Sequence, residues 1–216
     1  MSRPFETGES LRSVPSSGSR LFDAPEAVHH HGAYVIRRAQ PSDALAYCRA
    51  DARFVADTYV SIMPPEFAHD RLAEADGLAP ERAEAFAANL AAEARGEEPD
   101  DRTWIALDGD RIVATCVSRA KPQDWEAINE VVPIPGATRQ LNHLYLAAEA
   151  QGTGLADRLM GLALPGNLSA YLWIVGGNQR AWRFYERYGF VGDGITYSCG
   201  PIWFHRDLLR MYRLAS

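Results

Sequence analysis

The sequence predicts an α/β (α+β) fold, a single domain with a mixed sheet and helices on both of its faces. Three observations carry this. Strand-length apolar runs alternate with stretches of three-and-four periodicity; Pro, Gly and Asp cluster in the breaks between them; and 216 residues at 47% hydrophobic content suffice for one core. The predicted order is β-α-α-β-β-β-α-β-α-β-β.

Residues 1–32 are rich in Ser, Gly, Pro and Arg and lack either periodicity, so they are expected to form a flexible N-terminal extension to a domain spanning 33–216. His29, His30 and His31 suit a solvated run better than a metal site, and no metal is expected. Tyr34–Arg38 reads as a strand. Pro41-Ser42-Asp43 then starts a helix whose Leu45, Cys48, Ala52, Val55, Tyr59 and Ile62 share one face. Pro64-Pro65 breaks it. A second helix begins near Pro80, with Ala83, Phe86, Ala87 and Leu90 inward and Gly96 at its end. Trp104–Leu107 and Arg111–Ser118, joined by Asp108-Gly109-Asp110, read as a hairpin. A Pro-containing connection from Arg119 to about Gln140 follows. Next come a strand at Leu141–Ala147, a glycine turn opening a helix to Leu164, and a turn at Pro165-Gly166-Asn167. A strand at Ala170–Val175, a helix at Asn178–Tyr188 and two closing strands complete the chain.

Composition excludes several classes of function. A formal charge of −6 argues against a nucleic-acid partner, whose phosphates demand clustered Lys and Arg. No run of eighteen apolar residues and no secretory leader is visible, so no membrane association is expected and the chain reads as cytoplasmic. Cys48, Cys116 and Cys199 are odd in number and widely spaced, which fits inert reduced thiols rather than a disulfide framework.

The richest chemistry lies in Leu141 to Met160, L-N-H-L-Y-L-A-A-E-A-Q-G-T-G-L-A-D-R-L-M. An apolar strand runs into a glycine turn, Gln151-Gly152-Thr153-Gly154-Leu155-Ala156, that opens an amphipathic helix. Unpaired N–H groups and the positive end of the helix dipole make such a turn a cradle for phosphate or pyrophosphate. The Lys and Ser/Thr of a triphosphatase loop are missing, and Asp157 stands where a dinucleotide fingerprint needs its third glycine. A second block follows, N-Q-R-A-W-R-F-Y-E-R-Y-G-F from Asn178 to Phe190. Its Asn178, Ala181 and Tyr185 fall on one helical face.

Together the two blocks resemble the GNAT superfamily of N-acetyltransferases, whose acetyl-CoA motif [RQ]-x-x-G-x-[GA] is matched by Gln151, Gly154 and Ala156. The likeness is most specific from Leu141 to Gly192, and by element order it extends from Tyr34 to Arg213. It implies a GNAT-like, mostly antiparallel sheet of six to seven strands and acetyl-CoA as co-substrate. By the same resemblance, the pantetheine arm would pair with the backbone of Leu144, Tyr145 and Leu146. The N–H groups of Gly152, Thr153, Gly154, Leu155, Ala156 and Asp157, with Gln151, would hold the pyrophosphate. Asn178 and Ala181 would flank the arm, and Tyr185 would both touch the donor and steady the departing thiolate. A phenol of pKa near 10 can do this without ionising at neutral pH.

The base that deprotonates the acceptor is less legible. The strand positions matched to the family's carboxylate or imidazole, Gln140 and Asn142, cannot ionise, though Asn142 could order a water. A regular strand turns His143 to the opposite face, whereas a β-bulge would bring it in. Glu126 and Glu130 are weaker candidates. The segment Ala44–Asp101 is acidic, which reads either as a field for a cationic amine or as a solvated helix surface. The partner is therefore a small-molecule or peptide amine acceptor, with room left for a homodimer. The expected activity is direct acetyl transfer to a primary amine, and a non-catalytic acyl-CoA sensor is the alternative.

Overall fold

The structure, a computed structural model, describes residues 22–198 and 200–215. Its elements are β1 (Val28–His31), β2 (Tyr34–Arg38), α1 (Ala44–Tyr59), α2 (Pro65–Glu74), α3 (Ala79–Ala94), β3 (Asp101–Asp108), β4 (Arg111–Arg119), α4 (Asp124–Ile128), β5 (Arg139–Leu146), α5 (Leu155–Ala163), β6 (Ala170–Val175), α6 (Gln179–Glu186), β7 (Val191–Ser198) and β8 (Asp207–Arg213). Among the described residues, eight strands form one sheet in the order β1-β2-β3-β4-β5-β6-β8-β7. Only β5 and β6 run parallel; every other neighbouring pair is antiparallel. The predicted fold class holds, with one strand more than expected.

The additional strand is β1. Val28–His31 pair with Tyr34–Arg37 across a tight turn, so the sheet begins before the expected border at residue 33. Alternation explains how a run of histidines can do this: His29 and His31 are half-buried while Val28 and His30 face solvent, and the His29 ring lies 5.6 Å from that of Trp104. Residues 1–21 of the expected extension, and Cys199, lie outside the described residues.

The helices differ in detail. Pro64-Pro65 separates two helices, but Pro65 is also the first residue of α2, where a fixed φ is favourable and the missing N–H would have been unpaired anyway. The chain therefore folds three helices between β2 and β3 where two were expected. In α1, Cys48, Ala52, Val55 and Tyr59 are buried as their spacing predicts, joined by Tyr47 and Phe54, while Leu45 is 42% exposed. In α3 only Phe86 is fully buried, and Ala87 faces solvent.

The core carries an ionic inset at one end of the sheet. Glu93 of α3 bonds both Arg38, with which it makes a very short contact, and Arg102, at 2.7 Å. All three are nearly inaccessible, and Arg38 also stacks over Trp104 at 4.7 Å. Burial pulls the Arg38 guanidinium down to about 10, and the Glu93 charge opposes that fall. Removing one partner of such a group strands the others. Glu93→Gln should therefore lower unfolding stability by about 3–5 kcal/mol, read as a shift of the urea midpoint; a change within about 0.5 kcal/mol, the size of an ordinary surface substitution, would show the inset to be dispensable.

Candidate active site

Strands β5 and β6 pair at only three registers, Arg139 with Ala170 through Leu141 with Leu172, although they run on to Leu146 and Val175. Beyond Leu141 they part. The cause is visible on the other side of β5: Val117 of β4 pairs with His143, but Ser118 pairs with Leu141, so Asn142 is an extra residue. A bulge of this kind bends and twists the strand that carries it. The edge of β5 from Asn142 onward is thus left facing a cleft of about 370 Å³, whose far wall is α6 and whose mouth is the N-terminus of α5.

The mouth has the backbone that the sequence predicts. Gly152 and Gly154 adopt φ of 76° and 86°, and Gly154 is the N-cap immediately before α5. Gln151, Gly152, Gly154, Ala156 and Asp157 border the cleft, as do Leu144, Tyr145, Leu146, Asn178, Ala181 and Tyr185. Two predicted residues have other surroundings. The Leu155 side chain is fully buried in the core, and the Thr153 hydroxyl donates to the Ala150 carbonyl at 2.7 Å, tying the loop to itself. Asn178 caps α6, its Oδ1 accepting from Ala181 N at 3.1 Å, which leaves its amide nitrogen free of the cap. Asp157 sits in the first turn of α5, accepts a short hydrogen bond from the Tyr188 hydroxyl and lies 3.9 Å from Arg187.

Sequence reasoning missed Arg180 and Arg187, which also border the cleft and bring positive charge to its mouth. Arg180 donates to Gln151 Oε1 at 2.6 Å. The signal was present in the arginines that recur at three- and four-residue spacing through α6, Arg180, Arg183 and Arg187. Thr58 and Tyr59 at the end of α1 were missed as well. They are distant in sequence and carry no motif.

The bulge settles the orientation of His143. Its ring turns toward α1, with Nε2 3.3 Å from Asp51 Oδ1 and 3.1 Å from the Tyr47 hydroxyl, and it stacks on Tyr145 at 5.1 Å. Asp51 also accepts from the Thr115 hydroxyl at 3.0 Å. Nε2 is hydrogen-bonded to the Tyr47 hydroxyl, and Nδ1 lies on the side of Asn142, whose Nδ2 is 3.3 Å away. Burial lowers the His143 pKa, and the Asp51 charge partly restores it. Across the cleft, Tyr185 is buried. Burial raises its pKa far above that of an ordinary phenol. Cys116, likewise buried, is pushed up in the same way, which removes it as a nucleophile. Glu126 does not border the cleft; it is the buried residue of α4, where Tyr171, Gln140 and the Gln123 N–H all donate to it. Glu130 is exposed.

A strand that parts from its parallel neighbour just before a glycine cradle, faced by a second helix bearing Asn, Ala and Tyr, defines an acetyl-CoA-type acyltransferase site. Residues 65–190, more than half of the chain, match the sequence profile described as Acetyltransferase (GNAT) family, and the chain belongs to that family. Its chemistry is acetyl transfer from acetyl-CoA. No curated protein matches the sequence. Among solved structures, the ribosomal-protein-S5-alanine acetyltransferase of Vibrio fischeri is similar with a TM-score of 0.56 at 15% identity, over 88% of this chain and 97% of that one. The PaiA N-acetyltransferase of Thermoplasma acidophilum, solved in complex with coenzyme A, gives 0.51 at 12% identity, over 82% and 97%. A GNAT-family acetyltransferase from Streptococcus pneumoniae gives 0.52 at 15%, over 85% and 99%. At these identities the likeness is one of fold. Among the described residues, no group of three or more His, Cys, Asp or Glu could hold a metal, and no helix is long and apolar enough to cross a membrane.

The electrostatics of His143 can be checked directly. NMR titration should place its pKa below 6.5, and Asp51→Asn, which removes the charge that raises it, should move the titration to still lower pH. A shift to higher pH in Asp51→Asn would contradict the described pairing.

Proposed function

We propose that the chain is an N-acetyltransferase that moves an acetyl group from acetyl-CoA to a primary amine by direct transfer in a ternary complex. The observation that carries this reading is the shared border of one cleft: a free strand edge, an anion cradle, an imidazole and a phenol converge on it. The residues present fit the donor. The Leu144–Leu146 backbone would pair with the pantetheine arm, while the N–H groups of Gly152–Asp157, with Arg180 and Arg187, would face the phosphates. When bound, acetyl-CoA supplies a thioester carbonyl for an amine to attack.

The chain's own residues divide the proton work. His143 accepts a proton from the ammonium of the acceptor, and the Asp51 carboxylate, 3.3 Å from Nε2, favours the resulting charge. Tyr185 donates a hydrogen bond that steadies the thiolate as the bond to carbon breaks, since a phenol with so high a pKa keeps its own proton. Asn142 holds a water on the same side.

The acids of the Ala44–Asp101 segment weigh against a polycationic acceptor, because arginine or lysine neutralises most of those that the fold brings together. Asp76 pairs with Arg49, Glu97 with Arg95, Glu98 with Arg102, Asp100 with Lys121 and Asp101 with Arg119. The walls of the cleft include instead Tyr59 and Trp173, backed by Trp203 and Trp125. They favour an amine on a compact or aromatic body.

An acceptor panel spanning aromatic amines, aliphatic polyamines and peptide N-termini, read as free CoA, tests the reaction. Tyr185→Phe should cut turnover by roughly 10²-fold with little loss of donor affinity; unchanged turnover would remove Tyr185 from its role. In the wild type the rate should fall with acid as His143 gains a proton, with a midpoint below 6.5 that is absent in His143→Gln. Tight acetyl-CoA binding with no CoA release across the whole panel would favour the sensor instead.

A further inference from the structure

The cradle is held from outside by a strand that precedes the stretch matched to the family. His31, the last residue of β1, places Nε2 2.8 Å from the carbonyl oxygen of Thr153, across 122 residues of sequence. The same ring packs against Gly154, where a Cβ would come within 3.2 Å of Nε2. Two residues earlier and on the same face of β1, His29 places Nδ1 3.0 Å from the Arg158 guanidinium on the first turns of α5, Nε2 3.2 Å from Asp23, and its ring against Trp104. The strand is fixed in turn by its ladder to β2. A run of three histidines that looks like solvated tail is thus two inward contacts on the cradle and its helix, with His30 exposed between them.

We infer that His31 is a positioning residue for the anion cradle: by holding the Thr153 carbonyl it aims the Gly154 N–H at the donor's pyrophosphate. The physical link is the planar trans peptide between Thr153 and Gly154, in which the carbonyl and the following N–H point in opposite directions. With the carbonyl drawn toward β1, the N–H is turned to the other side, where Gly154 borders the cleft. The constraint matters because Gly152 and Gly154, both at positive φ, leave the loop unusually free to take other conformations. Pre-ordering it lowers the entropic cost of binding the anion. The inference rests on the cradle being the pyrophosphate site of the proposed transferase.

The test compares His31→Phe, which keeps a ring but loses the donor, with His31→Gln, whose amide can still donate to a carbonyl. Calorimetry with CoA on the full chain should show about tenfold weaker binding for His31→Phe and recovery to within about threefold for His31→Gln. In turnover, the KM for acetyl-CoA should rise in His31→Phe while kcat at saturation stays within about twofold. Acetyl-pantetheine, a donor with no pyrophosphate, should react equally well with wild type and both variants; this is the readout that a merely structural role would move. An equal loss with acetyl-pantetheine, or an unchanged KM for acetyl-CoA in His31→Phe, would overturn the assignment. CoA failing to bind the wild type would overturn both it and the reading of the cradle on which it rests.

Discussion

Everything at the site depends on two strands that stop pairing. In a sheet that is otherwise antiparallel, β5 and β6 hold one another for three registers and then separate, and an unpaired strand edge within a protein is a costly thing to leave dry. The separation is enforced from both flanks. On one side, the extra residue Asn142 bends β5 while β4 keeps its grip on the strand to Leu146. On the other, β6 remains fully laddered to β8 through Val175. Neither strand can close the gap without breaking its outer ladder, so an extended ligand can add itself as a third strand between them.

The electrostatics follow from where charges are tied down. The chain carries a net charge of −6, yet the mouth of the cleft is served by helix-start N–H groups and by Arg180 and Arg187. Elsewhere many acids pair with arginines, Glu93 within the buried inset and the half-exposed Glu98 beside it. Overall charge therefore says little about the field at the site, because that field is local and screened beyond about 10 Å.

Legibility varied with the kind of constraint. The cradle could be read because its geometry demands particular residues: glycines at positive φ and a small Ala156 leave a mark in the letters themselves. Strands β2 and β6 and the hairpin of β3 and β4 were likewise visible, since a strand-length apolar run and a tight turn are local patterns. The orientation of His143 was not, because parity along β5 depends on one extra residue relative to β4, and nothing in L-N-H-L-Y-L marks where it falls. Strand β1 was hidden for a different reason. Histidine is polar by composition but buries a flat ring readily, so V-H-H-H reads as tail until Trp104 and α5 supply the surface it covers. Thr58 and Tyr59 reach the cleft only through the packing of α1 on the sheet.

Strand β1 also guards an edge. It is the outermost strand beside β2, short and flanked by polar rings, and ahead of it Phe22 lies under the guanidiniums of Arg102 and Arg139 at 3.9 and 4.9 Å. A polypeptide trimmed to the border that composition suggests, residue 33, would bare the hydrogen-bonding side of β2 along with the flank of Trp104. The exposed backbone would then offer itself to any neighbouring chain, and what looks like a harmless shortening would favour edge-to-edge association.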